Sequence, residues 1–200
     1  MPRIQPVLQR PSSSRPALTY SQLSLLSTIS KMHAARNWRG LVALEETPGA
    51  AAAQFRETRP DTAILVFRML GLSYKSLGQF ATGIQLHEQE RAIAEQVGDR
   101  EGCVMACDNL GMCHDALGHF EKAIGLYGQA QAMEEEARDG RSAERCINLG
   151  ISYRNMSDHK TAIKLLEEAR VIAEDQNVQA KACSNLGICH FSLGSAQFTI

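Results

Sequence analysis

The chain has 200 residues, 44% hydrophobic and 22% charged, with a formal net charge of −1. These proportions fit a core-forming chain of one or two domains and exclude collagen, wholesale disorder and a disulfide-stapled miniprotein. The near-neutral total gives no electrostatic reason to expect nucleic acid, although residues 1–44 hold six basic residues and no acid, leaving −7 on the remainder.

Residues 1–18 read as a disordered or targeting segment. Pro2, Pro6, Pro11, Pro16 and the Ser12 to Ser14 run oppose helix, which favours a disordered tail. The acid-free, Arg- and Ser-bearing composition of residues 1–30 is also that of an organelle transit peptide. No apolar run approaches the roughly 18 residues that span a bilayer, so the expectation is a cytoplasmic chain off the membrane, with an organelle as the alternative. Residues 19–58 read equally as a capping helical hairpin or as a degenerate copy of the repeat that starts at residue 59. In the second reading Trp38 takes the place of Phe80, Leu41-Val42 that of Gly83-Ile84, and Thr47-Pro48-Gly49 ends the second helix.

From residue 59 a repeat dominates. Leu70-Gly71 recurs as Leu110-Gly111, Leu149-Gly150 and Leu186-Gly187 at offsets of 40, 39 and 37. Each pair is followed in register by Leu77, Leu117, Met156 or Leu193, then by Gly78, Gly118, Ser157 or Gly194. Phe80, Phe120 or His159 comes next in the first three copies, followed by Gly83-Ile84, Ala123-Ile124 or Ala162-Ile163. Within a copy the apolar spacing is helical: Cys103, Ala106, Cys107, Leu110, Cys113, His114 and Leu117 share one face, and Ala123, Ile124, Tyr127, Ala130 and Met133 another. Gly118 supplies the turn between them, and Gly111 and Ala123 are expected to face each other at closest approach. Such a hairpin cannot bury its own apolar faces, whereas stacked neighbours can. The expected units are 59–98, 99–138 and 139–175, followed by residues 176–200 as the first helix of an incomplete copy plus a short tail. That helix is expected over Gln179 to Leu193, with apolar surface left open by Cys183, Ile188 and Phe191, so that either the chain is a fragment of a longer array or another chain covers that edge.

The set Leu110-Gly111, His114, Leu117-Gly118, Phe120, Ala123, Tyr127 and Ala130 resembles the tetratricopeptide repeat, with parallel sets over about residues 60–195. The longer unit, with residues 86–99 linking one copy to the next, resembles the repeats of spindle-orientation G-protein modulator scaffolds and, less closely, those of kinesin light chain. The resemblance implies an all-α array of antiparallel helical hairpins, a right-handed superhelical solenoid whose concave face, lined by each first helix, takes up a peptide or helix. No G-protein-binding tail motif follows, so that partner is not implied.

Six cysteines and six histidines invite a metal reading, which register largely dissolves. Cys107, Cys146 and Cys183 are equivalents of Phe67; Cys113 and Cys189 of Ser73 and Ser152; His114 and His190 of Tyr74 and Tyr153. These read as packed positions, since a free thiol behaves as a small hydrophobe, and no second spaced pair completes a zinc pattern. Unpaired, helix-buried thiols favour a reducing compartment. No phosphate loop, GxSxG or HExxH is present. The runs Glu134-Glu135-Glu136 and Glu167-Glu168 read as solvated helix surface. The expectation is therefore no catalytic residues, no metal and no cofactor.

The expected site is the groove. Asn109, Asn148 and Asn185 recur immediately before Leu-Gly, with Met69 in the first copy, and an amide can both donate to and accept from an extended peptide. With neighbours of that register, the lining is Arg68, Lys75, Asn109, Met112, Asp115, Asn148, Arg154, Asn155, Lys181 and Asn185. Its mixed charge sets no ligand polarity. The leading expectation is a non-enzymatic protein-interaction scaffold for a protein or peptide ligand. Its rivals are a regulatory array from a larger enzyme or signalling protein and an organelle RNA-binding helical-repeat protein.

Overall fold

The computed structural model describes residues 20–37, 39–40, 55–56, 59–137 and 142–197. Residues 1–18, Trp38, Leu41, Val42, Thr47, Pro48 and Gly49 lie outside them. The described elements are all helical: α1 (Tyr20–Ala34), α2 (Pro60–Ser76), α3 (Phe80–Val97), α4 (Arg100–Ala116), α5 (Phe120–Ala137), α6 (Ala143–Asn155), α7 (His159–Ile172) and α8 (Gln176–Gln197). They form a helix-hairpin solenoid in which α2/α3, α4/α5 and α6/α7 are the three hairpins, and each first helix also packs on the second helix before it.

Short polar signals set the helix boundaries. Pro60 occupies the first turn of α2, where its missing N–H costs nothing. Asp99, Ser142 and Asp158 cap α4, α6 and α7 by accepting backbone N–H bonds from Gly102, Arg145 and Thr161. Each hairpin turns through one residue with left-handed backbone, Gly78 at φ 76°, Gly118 at 77° and Ser157 at 65°. Its closing bonds repeat as Gln79 N–H to the Tyr74 carbonyl, His119 N–H to that of His114 and Asp158 N–H to that of Tyr153, each at 2.9 Å. Arg36, at φ 52°, ends α1 in the same way, with Asn37 N–H bonded to the Met32 carbonyl. Of the three hairpin turns, Ser157 alone carries the strain of a Cβ in this region. Ser157→Gly is therefore expected to raise stability by about 1 kcal/mol, seen as a thermal midpoint about 2–4 °C higher; an unchanged or lower midpoint would contradict it.

The core runs through the array as successive clusters. Ile29 and Phe55 join Ile64, Val66, Phe67, Leu70, Tyr74 and Ile93 at one end. Tyr127 packs with Ala123 and Leu149 in the middle, and Cys146, Ile147, Leu166, Ala169, Ala182 and Cys189 fill the other end. Helix pairs approach closely at the Leu-Gly glycine of each of the three hairpins. A Cβ on Gly71 would lie 2.5 Å from the His87 ring, on Gly111 2.6 Å from the Tyr127 ring, and on Gly150 2.8 Å from Leu166. The repeat-equivalent ring or isobutyl group, rather than Ala123, is thus what Gly111 meets first. The small residue expected opposite also comes close in the first and third hairpins, with the Gly71 carbonyl 3.4 Å from a Cβ on Gly83 and the Ala162 carbonyl 3.3 Å from one on Gly150.

Three other expectations are corrected. α8 runs on to Gln197 instead of ending at Leu193, because among the described residues no second helix follows Gly194 to draw the chain into a turn. His190 is exposed rather than packed, for the same lack of a covering helix, and Cys183, read both as a packed repeat position and as part of an open apolar surface, is exposed as the second reading has it. Glu134 is not a freely solvated carboxylate: it is a bidentate partner of Arg145.

Candidate peptide-binding groove

Successive first helices touch one another directly, so α2, α4, α6 and α8 form one continuous surface. The contacts are polar struts from one repeat to the next. Lys75 on α2 donates to Asn109 Oδ1 on α4 at 3.2 Å and lies 3.5 Å from Met112 Sδ. Ser152 on α6 donates to Asp115 on α4 at 2.8 Å. Arg154 on α6 donates to Asn185 Oδ1 on α8 at 2.6 Å and to its neighbour Asn155 at 3.3 Å. Lys75, Asp115 and Arg154 are repeat equivalents, so one register supplies all three struts.

This placement divides the expected site residues. Asn109 is buried, and its carbonyl oxygen is engaged by Lys75. Asn185 accepts from Arg154 and donates to the Lys181 carbonyl. Asn148 makes no side-chain hydrogen bond among the described residues and lines a cavity of about 130 Å³ together with Met112, Glu144, Ile147 and Lys181. Met112 is exposed and Asn155 lies on the open surface. Arg68 sits apart, its guanidinium bonded at 2.5 Å to the buried Glu90 on α3. Burial lowers the Lys75 ammonium below its ordinary value, against the opposing pull of Cys113 and Glu90. Burial likewise raises the Asp115 carboxyl, with Ser152 and Arg154 working against the shift.

Two charge networks went unread in the sequence. His87 and Glu90 on α3 are fully buried and bonded Nδ1 to Oε2 at 2.7 Å, with Arg68 on the other carboxylate oxygen. Arg145 on α6, also buried, holds Asp108 on α4 with two bonds at 2.7 and 2.8 Å and both oxygens of Glu134 on α5. Burial would lower the Arg145 pKa, but the bonds to Asp108 and Glu134 outweigh it and the group is held more firmly charged than usual. Register was the available signal: Glu90 stands where Ala130 and Ala169 follow, and Arg145 where Val66, Ala106 and Ala182 stand.

The first helices also carry exposed apolar side chains at matched positions: Leu65 and Met105 at one register, Met112 and Ile188 at another. Among the described residues no cluster of three or more metal-binding side chains occurs, and no helix is long and apolar enough to cross a membrane.

Residues 61–136 match the tetratricopeptide repeat family model; fold and match together define the class, a solenoid of tetratricopeptide-type repeats. In structure the chain is similar to BtubC (BKLC) from P. vanneervenii, with a TM-score of 0.73 and 24% identity over 87% of this chain and 75% of that one. It is also similar to a Podosopora anserina protein of nearly identical TPR-like repeats described as a kinesin light chain, with a TM-score of 0.67 and 19% identity over 88% of each chain. A single-substitution form of the latter matches with a TM-score of 0.68. No curated protein sequence matches closely enough to count as a relative.

Proposed function

We propose that this chain is a non-enzymatic scaffold or adaptor that holds a peptide or helix of a partner protein along the surface formed by α2, α4, α6 and α8. One observation carries the reading: Asn148, whose side chain makes no hydrogen bond among the described residues, lines a cavity of about 130 Å³ together with the apolar Met112 and Ile147 and the charged Glu144 and Lys181. An apolar ligand side chain fits against Met112 and Ile147, while the amide pairs with ligand backbone and the opposite charges fix orientation more than they add affinity. Lys75, Asn109, Asp115, Arg154, Asn155 and Asn185 support this surface from the neighbouring repeats, several through the struts, whereas Arg68 is engaged with Glu90 on α3. The six cysteines form no disulfide and five are buried, which agrees with a reducing compartment such as the cytoplasm.

The test is affinity capture from the native source with the wild-type chain and a Met112→Glu/Asn148→Ala variant. Truncating Asn148 breaks no side-chain bond among the described residues, and both positions are compatible with intact helices. The variant is expected to lose the captured partner, with affinity falling about 10-fold or more if the cavity is a binding hot spot. A partner retained equally by both proteins, at equal helicity by circular dichroism, would rule the groove out.

A further inference from the structure

The turn between α4 and α5 differs chemically from its two equivalents. In each hairpin the closing bond joins the N–H just after the left-handed residue to a carbonyl five residues back, which sets those two residues side by side. The pair is Tyr74 with Gln79 in the first hairpin and Tyr153 with Asp158 in the third, but His114 with His119 in the second. The two imidazoles have ring centroids 5.7 Å apart and planes tilted by 45°. Their Nδ1 atoms face each other at 3.4 Å. His119 is exposed and His114 half-buried, so the pair is open to solvent. Its spacing, His-x4-His, falls in the range of the histidine half of zinc sites.

We propose that His114 and His119 form a binding site for a tetrahedrally coordinated divalent cation, zinc above all, held by the two Nδ1 atoms with its other positions filled by water. The distance between the nitrogens carries the argument. Two neutral rings meeting Nδ1 to Nδ1 can place only one proton between two lone pairs, and at 3.4 Å the resulting hydrogen bond is long and weak. A zinc ion bonded to both nitrogens at about 2.0–2.1 Å in tetrahedral geometry sets them about 3.3–3.4 Å apart. Square-planar coordination at the same bond length requires about 2.9 Å, so the pair is spaced for a tetrahedral ion. The charged groups acting on His114 from neighbouring elements are Lys122 on α5 and Glu88 on α3, and their opposite signs leave no net charge against a cation. The ion takes the place of the shared proton and ties the end of α4 to the turn that leads into α5. With two protein ligands the site is open rather than closed.

The test is titration of the full 200-residue chain with zinc chloride in a Cys183→Ser background, which removes the exposed thiol of the six as a competing ligand. Calorimetry reads uptake, and NMR of the imidazole nitrogens reads which atom of each ring is bound. Expected is saturable uptake of one ion per chain, with Nδ1 of both rings coordinated. His114→Tyr and His119→Gln each install the residue of the first hairpin, Tyr74 or Gln79, so the turn is kept. Each is nonetheless expected to weaken binding about 10-fold or more, since one of two protein ligands is lost. Zinc is also expected to raise the thermal midpoint of the Cys183→Ser chain and to leave that of either variant unchanged, because a ligand stabilises only the folded state that binds it. Three results would overturn the proposal. One is the absence of saturable uptake, and another is uptake or thermal stabilisation that both variants retain in full, which places the ion elsewhere. The third is coordination through Nε2, which the facing Nδ1 atoms do not allow for.

Discussion

Glu90→Ala is expected to destabilise the protein by about 3–5 kcal/mol, the range for removing one partner from a buried charge network. Glu90 is fully buried, one oxygen held by Arg68 and the other by His87. Truncation leaves the fully buried imidazole with neither ring nitrogen satisfied, since His87 Nε2 already lacks a partner among the described residues. The guanidinium of Arg68, about one-fifth exposed, keeps some access to water, which places the loss toward the lower end of that range. The same three positions are apolar in the third hairpin, as Ile147, Leu166 and Ala169. Arg68→Ile/His87→Leu/Glu90→Ala together should therefore recover most of the stability, because replacing a whole buried ionic set by matched apolar groups is often neutral or favourable. The leucine introduced at position 87 would then meet Gly71 as Leu166 meets Gly150. Urea denaturation followed by circular dichroism checks both. A single substitution costing less than 1 kcal/mol would show that the network carries little weight.

The parts of the fold that repeat were legible, because repetition tests each assignment against two or three copies. The helix pairs, the turns at Gly78, Gly118 and Ser157, and the buried Cys107, Cys113 and Cys146 all followed from register and a period of 3.6. Parts that depend on which neighbour is present were not legible. Cys183 has the same register as Cys146, yet one is exposed and the other buried, because burial belongs to the helix pair and not to the residue. For the same reason Gly194 has the sequence of a turn and the conformation of a helix. The groove shows a third kind of limit. The Asn register was plain, but the struts that engage Asn109 and Asn185 and leave Asn148 unengaged depend on Lys75, Arg154 and Ser152 reaching across from neighbouring repeats. Glu90 and Arg145, which break register inside the packed faces, carried the clearest unread signal, since a charge at an apolar repeat position must find a partner or expel itself from the core.

Arg145→Ala is expected to cost about 3 kcal/mol or more and, in addition, to change the shape of unfolding. Arg145 is 3% exposed and ties three helices of two repeats, with Asp108 on α4 and Glu134 on α5 both bound in two-pronged fashion. Both carboxylates keep partial access to water, which places the cost near the bottom of the buried-pair range despite the number of bonds lost. The effect on cooperativity is separate. In a repeat array stability is the sum of repeat and interface contributions, and this guanidinium acts across the seam between the second and third hairpins. Weakening that seam lets the α6–α8 end unfold before the rest, so the urea transition should broaden, with a lower apparent m-value, or split into two phases. Glu90→Ala, acting within one hairpin, should lower the midpoint with less broadening. Arg145→Lys should recover less than half of the loss, because one ammonium cannot pair with two carboxylates in the planar, two-pronged way a guanidinium does. A sharp single transition for Arg145→Ala with the wild-type midpoint would show that apolar contacts between α5 and α6 hold the seam without it.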